Sequence, residues 1–540
     1  MFARLKQFEL STWSLAIVTL LFTLFQVSWS FRNYRLAQEP DSDDNVYLLD
    51  AMQRLDVLDQ RGPVQFVQEL FTKPAHSPFA TAVCLLGLAF GANGFVGPYL
   101  VSGILVFVFL LEINRLASNL SVTTRAILLG GVLLIPLTRS MVVELRPDFA
   151  VGLFGAMACV RLCRMVLRPG SPNVAEILSC ALLQALTLLA KPTYFAHSLI
   201  IFGLSIALSL FFRMLIDRRV TDRKWSSLLR QARPCAWSVT GCLVLVLPYY
   251  LYGFLDIWHY ITINTWGANA KFWRIPGGIR ASLEYFLSGP GSDPIGGYLQ
   301  LFLLIILIVT GYLLVLRRFY EAFEIVVGLL AALSSATIIV LSRIGNPTFN
   351  VPSHFLLTFA AVTALGYAVR ELRWPSLHVA TVLPVLIVGL VQRPDSGYID
   401  RDYLAGNGIA NKVISTIESS VSDFSTKPTK LALAGSSQIH YATLEILAHN
   451  RHFPLEATGV AAWLDPDTVM ANLGNPDFVC VSEPDGLPEI YQKLQVKLLA
   501  QFKSDHRFRY VNRFPLARGA IWLFQRDNTV SASEPKAGNE

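Results

Sequence analysis

Charge is what this sequence has least of. Only 15% of its 540 residues are Asp, Glu, Lys or Arg, against about 25% in soluble domains. Apolar residues make up 53% and the mean hydropathy is +0.46. An ordinary soluble enzyme and a disordered chain are excluded. Disulfide spacing is lacking as well. Of seven cysteines, Cys84, Cys159, Cys163, Cys180, Cys235 and Cys242 fall in or beside apolar segments and Cys480 in the polar tail. That scatter fits neither a disulfide scaffold nor a zinc site. No small-residue cleavage site follows the first apolar run, which therefore reads as an uncleaved anchor. A glycine-rich nucleotide loop is missing, and so is the internal repeat from which many transporters are built.

What is present is a series of apolar runs of membrane-spanning length, about 20 residues each. Eleven are expected, at 13–31, 95–113, 125–143, 149–167, 174–190, 193–212, 235–254, 298–316, 323–341, 352–369 and 375–391. The fold class that follows is a polytopic α-helical membrane protein in residues 1–392, with a C-terminal α/β domain in 393–526 and a disordered tail in 527–540. Residues 1–392 hold 30 Lys/Arg and 21 Asp/Glu, and the remainder 15 and 17. The excess cations lie in short loops, which marks topology rather than nucleic-acid binding. Loop 213–233 sets the frame with Arg213, Arg218, Arg219, Arg223, Lys224, Arg230 and Arg233. Basic loops face the cytoplasm, so the N-terminus is expected inside and the C-terminal domain outside. The run 78–91 is only 14 residues long and reads as a juxtamembrane helix. Counted as a span, it would invert every later loop.

Two large outer loops are expected. In 32–94, Leu48, Met52 and Leu55 share a helical face, which predicts a surface helix over Asn45–Gln60. The second, 256–298, is rich in glycine and aromatics and suits a mobile lid. In the tail, strands are expected at 430–434, 478–481, 509–514 and 520–525, and helices at 438–450 and 488–503.

Three features that could carry chemistry fall on the outer side. Asp43-Asp44 precedes the surface helix. One such acid is a natural N-cap, and the other is left to act as a base. Arg146-Pro147-Asp148 stands at a span end, where it also suits a helix start. Lys191-Pro192 joins two spans. A lysine there can snorkel or hold a phosphate. A base, a second acid and a cation at one depth suit sugar transfer from a lipid phosphate. The acceptor hydroxyl needs a proton acceptor, and the leaving phosphate needs cationic stabilisation.

At these residues the chain resembles the GT-C superfamily of integral membrane glycosyltransferases, and within it glycosyltransferase families 39 and 83, which include protein O-mannosyltransferases and the lipid A aminoarabinose transferase. The resemblance runs over roughly residues 10–370. Its motifs read Asp43-Asp44-Asn45-Val46-Tyr47, then His76-Ser77-Pro78 through Phe90-Gly91, then Pro147-Asp148. Leu188-Leu189-Ala190-Lys191-Pro192, Trp258-His259-Tyr260 and the stretch from Arg343 through Pro347-Thr348-Phe349 to His354 complete the series. One departure is His76-Ser77 where the family often has lysine; Lys73 lies three residues earlier. That departure leaves the branch, and with it the sugar, open.

The resemblance implies a polyprenyl-phosphate-linked sugar donor, inversion, and an acceptor lipid, glycan or protein outside the cytoplasm. It makes Asp43 the base, or Asp44 if the register slips by one. Asp148 would position the acceptor or assist, and Lys191, joined by Arg343, would bind the donor phosphate. Tyr47, His76, His259 and His354 would be substrate contacts. Asp43, Asp44 and Asp148 could hold a divalent cation, but hard cations take more oxygen ligands, so no metal or other cofactor is expected. A bacterial inner membrane is the expected location. The competing readings are a transporter or flippase for a polyprenyl-linked glycan, a glycan ligase or polymerase, and a non-catalytic subunit.

Overall fold

The computed structural model describes residues 2–33, 35–37, 42–72, 77–90, 95–168, 170–220, 226–265, 274–372, 375–392, 401–421, 427–434, 439–460, 465–483, 489–515 and 519–527. It divides into two compact units. The first comprises Met1–Val27 and Ala51–Pro394, and the second Ser28–Asp50 and Asp395–Glu540.

The first unit is helical. Its elements are α1 (Phe2–Asn33), α2 (Ser42–Thr72), α3 (Pro78–Phe90), α4 (Val96–Leu116), α5 (Val122–Leu133), α6 (Pro136–Val143), α7 (Asp148–Leu167), α8 (Val174–Ala190), α9 (Phe195–Val220), α10 (Ser226–Thr265), α11 (Gly278–Leu287), α12 (Tyr298–Val315), α13 (Phe319–Ser342), α14 (Val351–Glu371) and α15 (Pro375–Val391). The ends of α1 and α2 nearest each other belong to the second unit. Among the described residues, eight helices are long and apolar enough to cross a membrane, or nine if α5 and α6, bent by 63°, form one span. The chain is thus a polytopic helical membrane protein. The two other expected spans are the shorter apolar helices Val174–Ala190 and Ser376–Val391. Seventeen residues in α8 rise about 25 Å, somewhat less than the roughly 30 Å hydrocarbon core. The 78–91 run forms the 13-residue helix α3.

Local chemistry explains the breaks. Pro136 opens α6 and has no N–H to continue the ladder of α5. Asn173 and Glu176 form a reciprocal capping box at the start of α8, at 2.9 and 3.0 Å. The expected surface helix runs on to Thr72, but its backbone breaks at Gly62 (φ 82), next to Pro63. The left-handed region favours glycine there. Helices α3 and α4 approach backbone to backbone, and a Cβ on Gly97 would lie 2.0 Å from the Gly87 carbonyl oxygen. The most enclosed helix is α14, with every residue from Val351 to Val369 buried.

The expected lid differs from the reading of a loop. Residues 256–265 extend α10, carrying Trp258 and Tyr260, and 278–287 form α11. Trp266, Phe272 and Trp273 lie outside the described residues.

The second unit holds a five-stranded sheet. Helices α16 (Arg401–Ser420), α17 (Tyr441–Asn450), α18 (Pro466–Asn472) and α19 (Glu489–Ser504) accompany β1 (Thr429–Ala434), β2 (Leu455–Val460), β3 (Phe478–Ser482), β4 (Phe508–Pro515) and β5 (Ala520–Arg526). The order is β2-β1-β3-β5-β4. Strand β1 runs parallel to β2 and β3, while β5 is antiparallel to β3 and β4. Alternation sends Leu431 and Leu433 to one face with α16 and α17, and Ala432 and Ala434 to the other with α18 and α19. The domain therefore has three layers. The sequence reading lacks β2, an edge strand reading Leu-Glu-Ala-Thr-Gly-Val with only Ala457 buried. An exposed edge carries no apolar run to detect. Residues 528–540, expected to be disordered, lie outside the described residues.

Candidate functional site

In the first unit, Pro147 ends the approach to α7 and Asp148 is its first residue. A carboxylate there complements the helix dipole. Across from it, Pro192 bars α8 from continuing, so Lys191 takes an extended conformation (φ −150, ψ 105). The freed end of α8 is satisfied from outside the helix. Ser77 Oγ donates to the Ala190 carbonyl at 2.7 Å and Tyr250 Oη to the Leu188 carbonyl at 2.8 Å.

This break turns the Lys191 side chain onto Asp148, with Nζ 3.1 and 3.0 Å from the two carboxylate oxygens. Tyr194 Oη donates to the same carboxylate at 2.9 Å and lies 3.2 Å from the Phe349 carbonyl. The ammonium stands 4.8 Å from the centre of the Phe349 ring and 5.5 Å from that of Tyr194. Asp148 is 1% exposed and Lys191 9%. The result is a buried ion pair with an aromatic border, and a buried pair of this kind is costly unless further hydrogen bonds complete it. Tyr194 supplies one.

Two histidines lie on neighbouring elements. Asn350 Nδ2 donates to His354 Nε2 at 2.9 Å, and Asn350 Oδ1 accepts from Ser353 at 2.5 Å. His197 Nε2 is 3.0 Å from Ser335 Oγ, and its ring packs edge-on against Tyr194. The Nδ1 atoms of His197 and His354 are buried without a hydrogen-bond partner. Two ring nitrogens beside the Asp148 cluster are thus open to a polar ligand or water. Arg343 closes α13 in the left-handed region (φ 56), and its carbonyl accepts from the Ile275 amide at 2.8 Å. His259 is exposed on α10, and His76 lies outside the described residues.

Asp43, Asp44 and Tyr47 belong to the second unit. The two acids of the first turn of α2 differ. Asp44 is fully buried, 3.0 Å from Arg35, while Asp43 is half-buried. Asn45 Nδ2 donates to Thr443 Oγ1 of α17 at 2.6 Å, and Tyr47 is buried. The first-loop motif is therefore built into the fold of the α/β unit, a link that nothing in the sequence signals.

Sequence reasoning brought forward Asp148 and Lys191 but not their contact, and it missed Tyr194 and Arg35. Tyr194 had a readable signal, because a short 3-10 turn from Lys191 places residue i+3 alongside. Arg35 had none. Among the described residues no group of three or more His, Cys, Asp or Glu is placed to hold a metal ion. No protein-family model matches the chain, and no curated protein matches it in sequence.

Proposed function

We propose that the protein is a membrane glycosyltransferase of GT-C type, which moves a sugar from a polyprenyl-phosphate donor to an acceptor outside the cytoplasm with inversion. The observation that carries this reading is the buried Asp148–Lys191–Tyr194 cluster at the ends of two apolar helices. Lys191 is the cation for the donor phosphate. Asp148 holds that ammonium in place until the phosphate arrives. Asp43, which the resemblance makes the base, takes the proton of the acceptor hydroxyl. The acceptor oxygen then bonds to the anomeric carbon as the bond from that carbon to the phosphate oxygen breaks, and the lipid phosphate leaves with the electron pair.

A transporter reading calls for ionisable groups at mid-span. Among the ion pairs between helices, Arg161–Glu112 and Arg164–Glu324 instead lie within about two turns of helix ends. That placement supports transfer at a surface over passage through the bundle.

The test is transfer from a panel of radiolabelled polyprenyl-phosphate sugars in membranes carrying wild type, Asp43→Asn or Asp148→Asn. Label is expected to reach a lipid, glycan or protein product with wild type and neither variant. Equal donor consumption by all three proteins would overturn the assigned site.

A further inference from the structure

A second polar cluster sits at the other end of α7. Arg161, Arg164 and Arg168 follow Asp148 by 13 to 20 residues, about 20–30 Å along the helix. With Arg115 from α4 they line a cavity of about 260 Å³, whose wall also includes residues 170–172 and Glu176. Drug-sized ligands occupy about 300 Å³ or more, so this volume suits a headgroup-sized ion.

The carboxylates around it are already engaged. Glu112 receives Arg115 through both oxygens, one of them at 2.8 Å from Nε. Glu324 receives Arg164 Nε at 2.5 Å and the Tyr367 hydroxyl at 2.7 Å. Arg168 completes this set, 3.5 Å from Glu324 and donating to Tyr367 at 3.2 Å. Glu176 is exposed and caps the Asn173 amide.

Arg161 is the exception. Its Nη1 donates to the neutral hydroxyl of Ser179 at 2.6 Å, and its nearest carboxylate, Glu112, is 3.7 Å away. Its Nε is buried without a hydrogen-bond partner. Among the described residues, four guanidinium groups therefore face three carboxylates, Glu112, Glu176 and Glu324, leaving one positive charge over. A network whose only task was to hold helices together would leave neither a surplus cation nor an orphaned donor. Planar forks converging on a cavity match a phosphate, which accepts paired N–H bonds.

We propose that this cavity binds a phosphate-bearing anion, either the headgroup of an anionic phospholipid or a soluble phosphate, at a site separate from the Asp148 cluster. The ligand completes Arg161 and draws on the half-exposed Arg115 and Arg168.

The test uses the full chain in neutral detergent, titrated with dioctanoylphosphatidic acid, dioctanoylphosphatidylcholine or inorganic phosphate. The thermal midpoint is followed, and bound molecules are counted by native mass spectrometry. Phosphatidic acid is expected to raise the midpoint saturably and phosphatidylcholine not to. Arg168→Gln and Arg115→Gln, both at half-exposed positions, should each weaken binding about tenfold. Arg161→Lys keeps the charge but loses the fork and should weaken it as well. Arg280→Gln, at an arginine whose side chain is 90% exposed, should leave binding unchanged. A shift reproduced by inorganic phosphate identifies the soluble anion as ligand; one confined to phosphatidic acid identifies the lipid. No shift with either anion, equal binding of phosphatidylcholine, or affinity unchanged in all three cavity variants overturns the proposal.

Discussion

At one end of α7 a single carboxylate, Asp148, meets a single ammonium, Lys191, and both are almost wholly shielded from solvent. At the other end four arginines surround Glu112 and Glu324, and Arg115 and Arg168 keep roughly half their side-chain surface exposed. The first arrangement is a closed pair whose further hydrogen bond, among the described residues, comes from the neutral Tyr194 hydroxyl. The second is a shared network in which one contact can be lost and the rest rearrange. A closed pair is sensitive to either member and holds one geometry. A shared network tolerates change and retains capacity for another anion.

The largest expected effect comes from breaking the closed pair. Lys191→Met leaves a buried carboxylate, and Asp148→Asn a buried ammonium. Each should cost about 3–5 kcal/mol of stability. The double variant should cost clearly less than the sum, because neither charge is then stranded. Unfolding of the detergent-solubilised chain measures this cycle, and strict additivity would show that the two residues do not act as a pair. At the far end, Glu324→Gln removes a carboxylate shared by Arg164, Arg168 and Tyr367. Its cost should stay at or below about 3 kcal/mol, since Arg168 can return to water and the amide still accepts a hydrogen bond. A larger loss than for Lys191→Met would reverse the comparison.

The length of α7 is the third element of the contrast, because it keeps the two clusters apart. Gly152 lets α14 approach it: a Cβ there would stand 2.6 Å from Phe355 Cδ2 and 3.0 Å from Val351 Cγ1. Gly152→Ala should cost about 1–3 kcal/mol through overpacking. One turn away, a Cβ at Gly155 meets Thr187 at 3.3 Å, and Gly155→Ala should cost less. The same unfolding assay ranks the two, and equal losses would mean that α7 and α14 are not fixed against each other here.

Much of this architecture could be read from the chain. Hydropathy finds a helix at every expected span because burial in lipid demands long uncharged runs. Proline and glycine mark the breaks at Pro136, Gly62 and Pro192 for steric reasons that act locally. The pairing of Asp148 with Lys191 was not legible, although each residue stood out. It depends on where α8 stops relative to the start of α7, a tertiary distance between residues 43 apart in sequence. The link from Asn45 to Thr443 spans 398 residues and leaves no local trace. Strand β2 was missed because an exposed edge needs no apolar pattern. The arginines of α7 were read as topology signals, and their positions serve that purpose equally well. That the Nε of Arg161 is buried without a hydrogen-bond partner is a tertiary feature that the sequence does not show.

A further contrast, between a carboxylate held by an arginine and one held by a backbone amide, lies in the α/β unit, outside the spans, where pH can report it. Glu483 accepts from Arg513 Nε at 2.9 Å and from Trp522 Nε1 at 2.7 Å. The Arg513 hydrogen bond holds its carboxyl below the usual range. Glu445 is pushed above that range by burial, despite accepting the Ala457 amide at 2.7 Å. The signs differ accordingly. The contribution of Glu483 is present above the unfolded carboxylate value, about 4.3, and is lost as pH falls through its lower folded value. For Glu445 the folded state binds the proton more tightly, so its contribution is present at acid pH and is lost as pH rises through the higher folded value. Glu483→Gln should therefore weaken the sheet at neutral pH and flatten its loss of stability below pH ~4. Glu445→Gln keeps an acceptor for Ala457 and removes the buried charge, so it should slightly strengthen the sheet at neutral pH and change little in acid. Hydrogen exchange of 478–482 and 520–526 in the intact chain, followed from pH ~3 to pH ~7, reads both effects. Shifts of the same sign in the two variants would show that burial, rather than the charged partner, governs both glutamates.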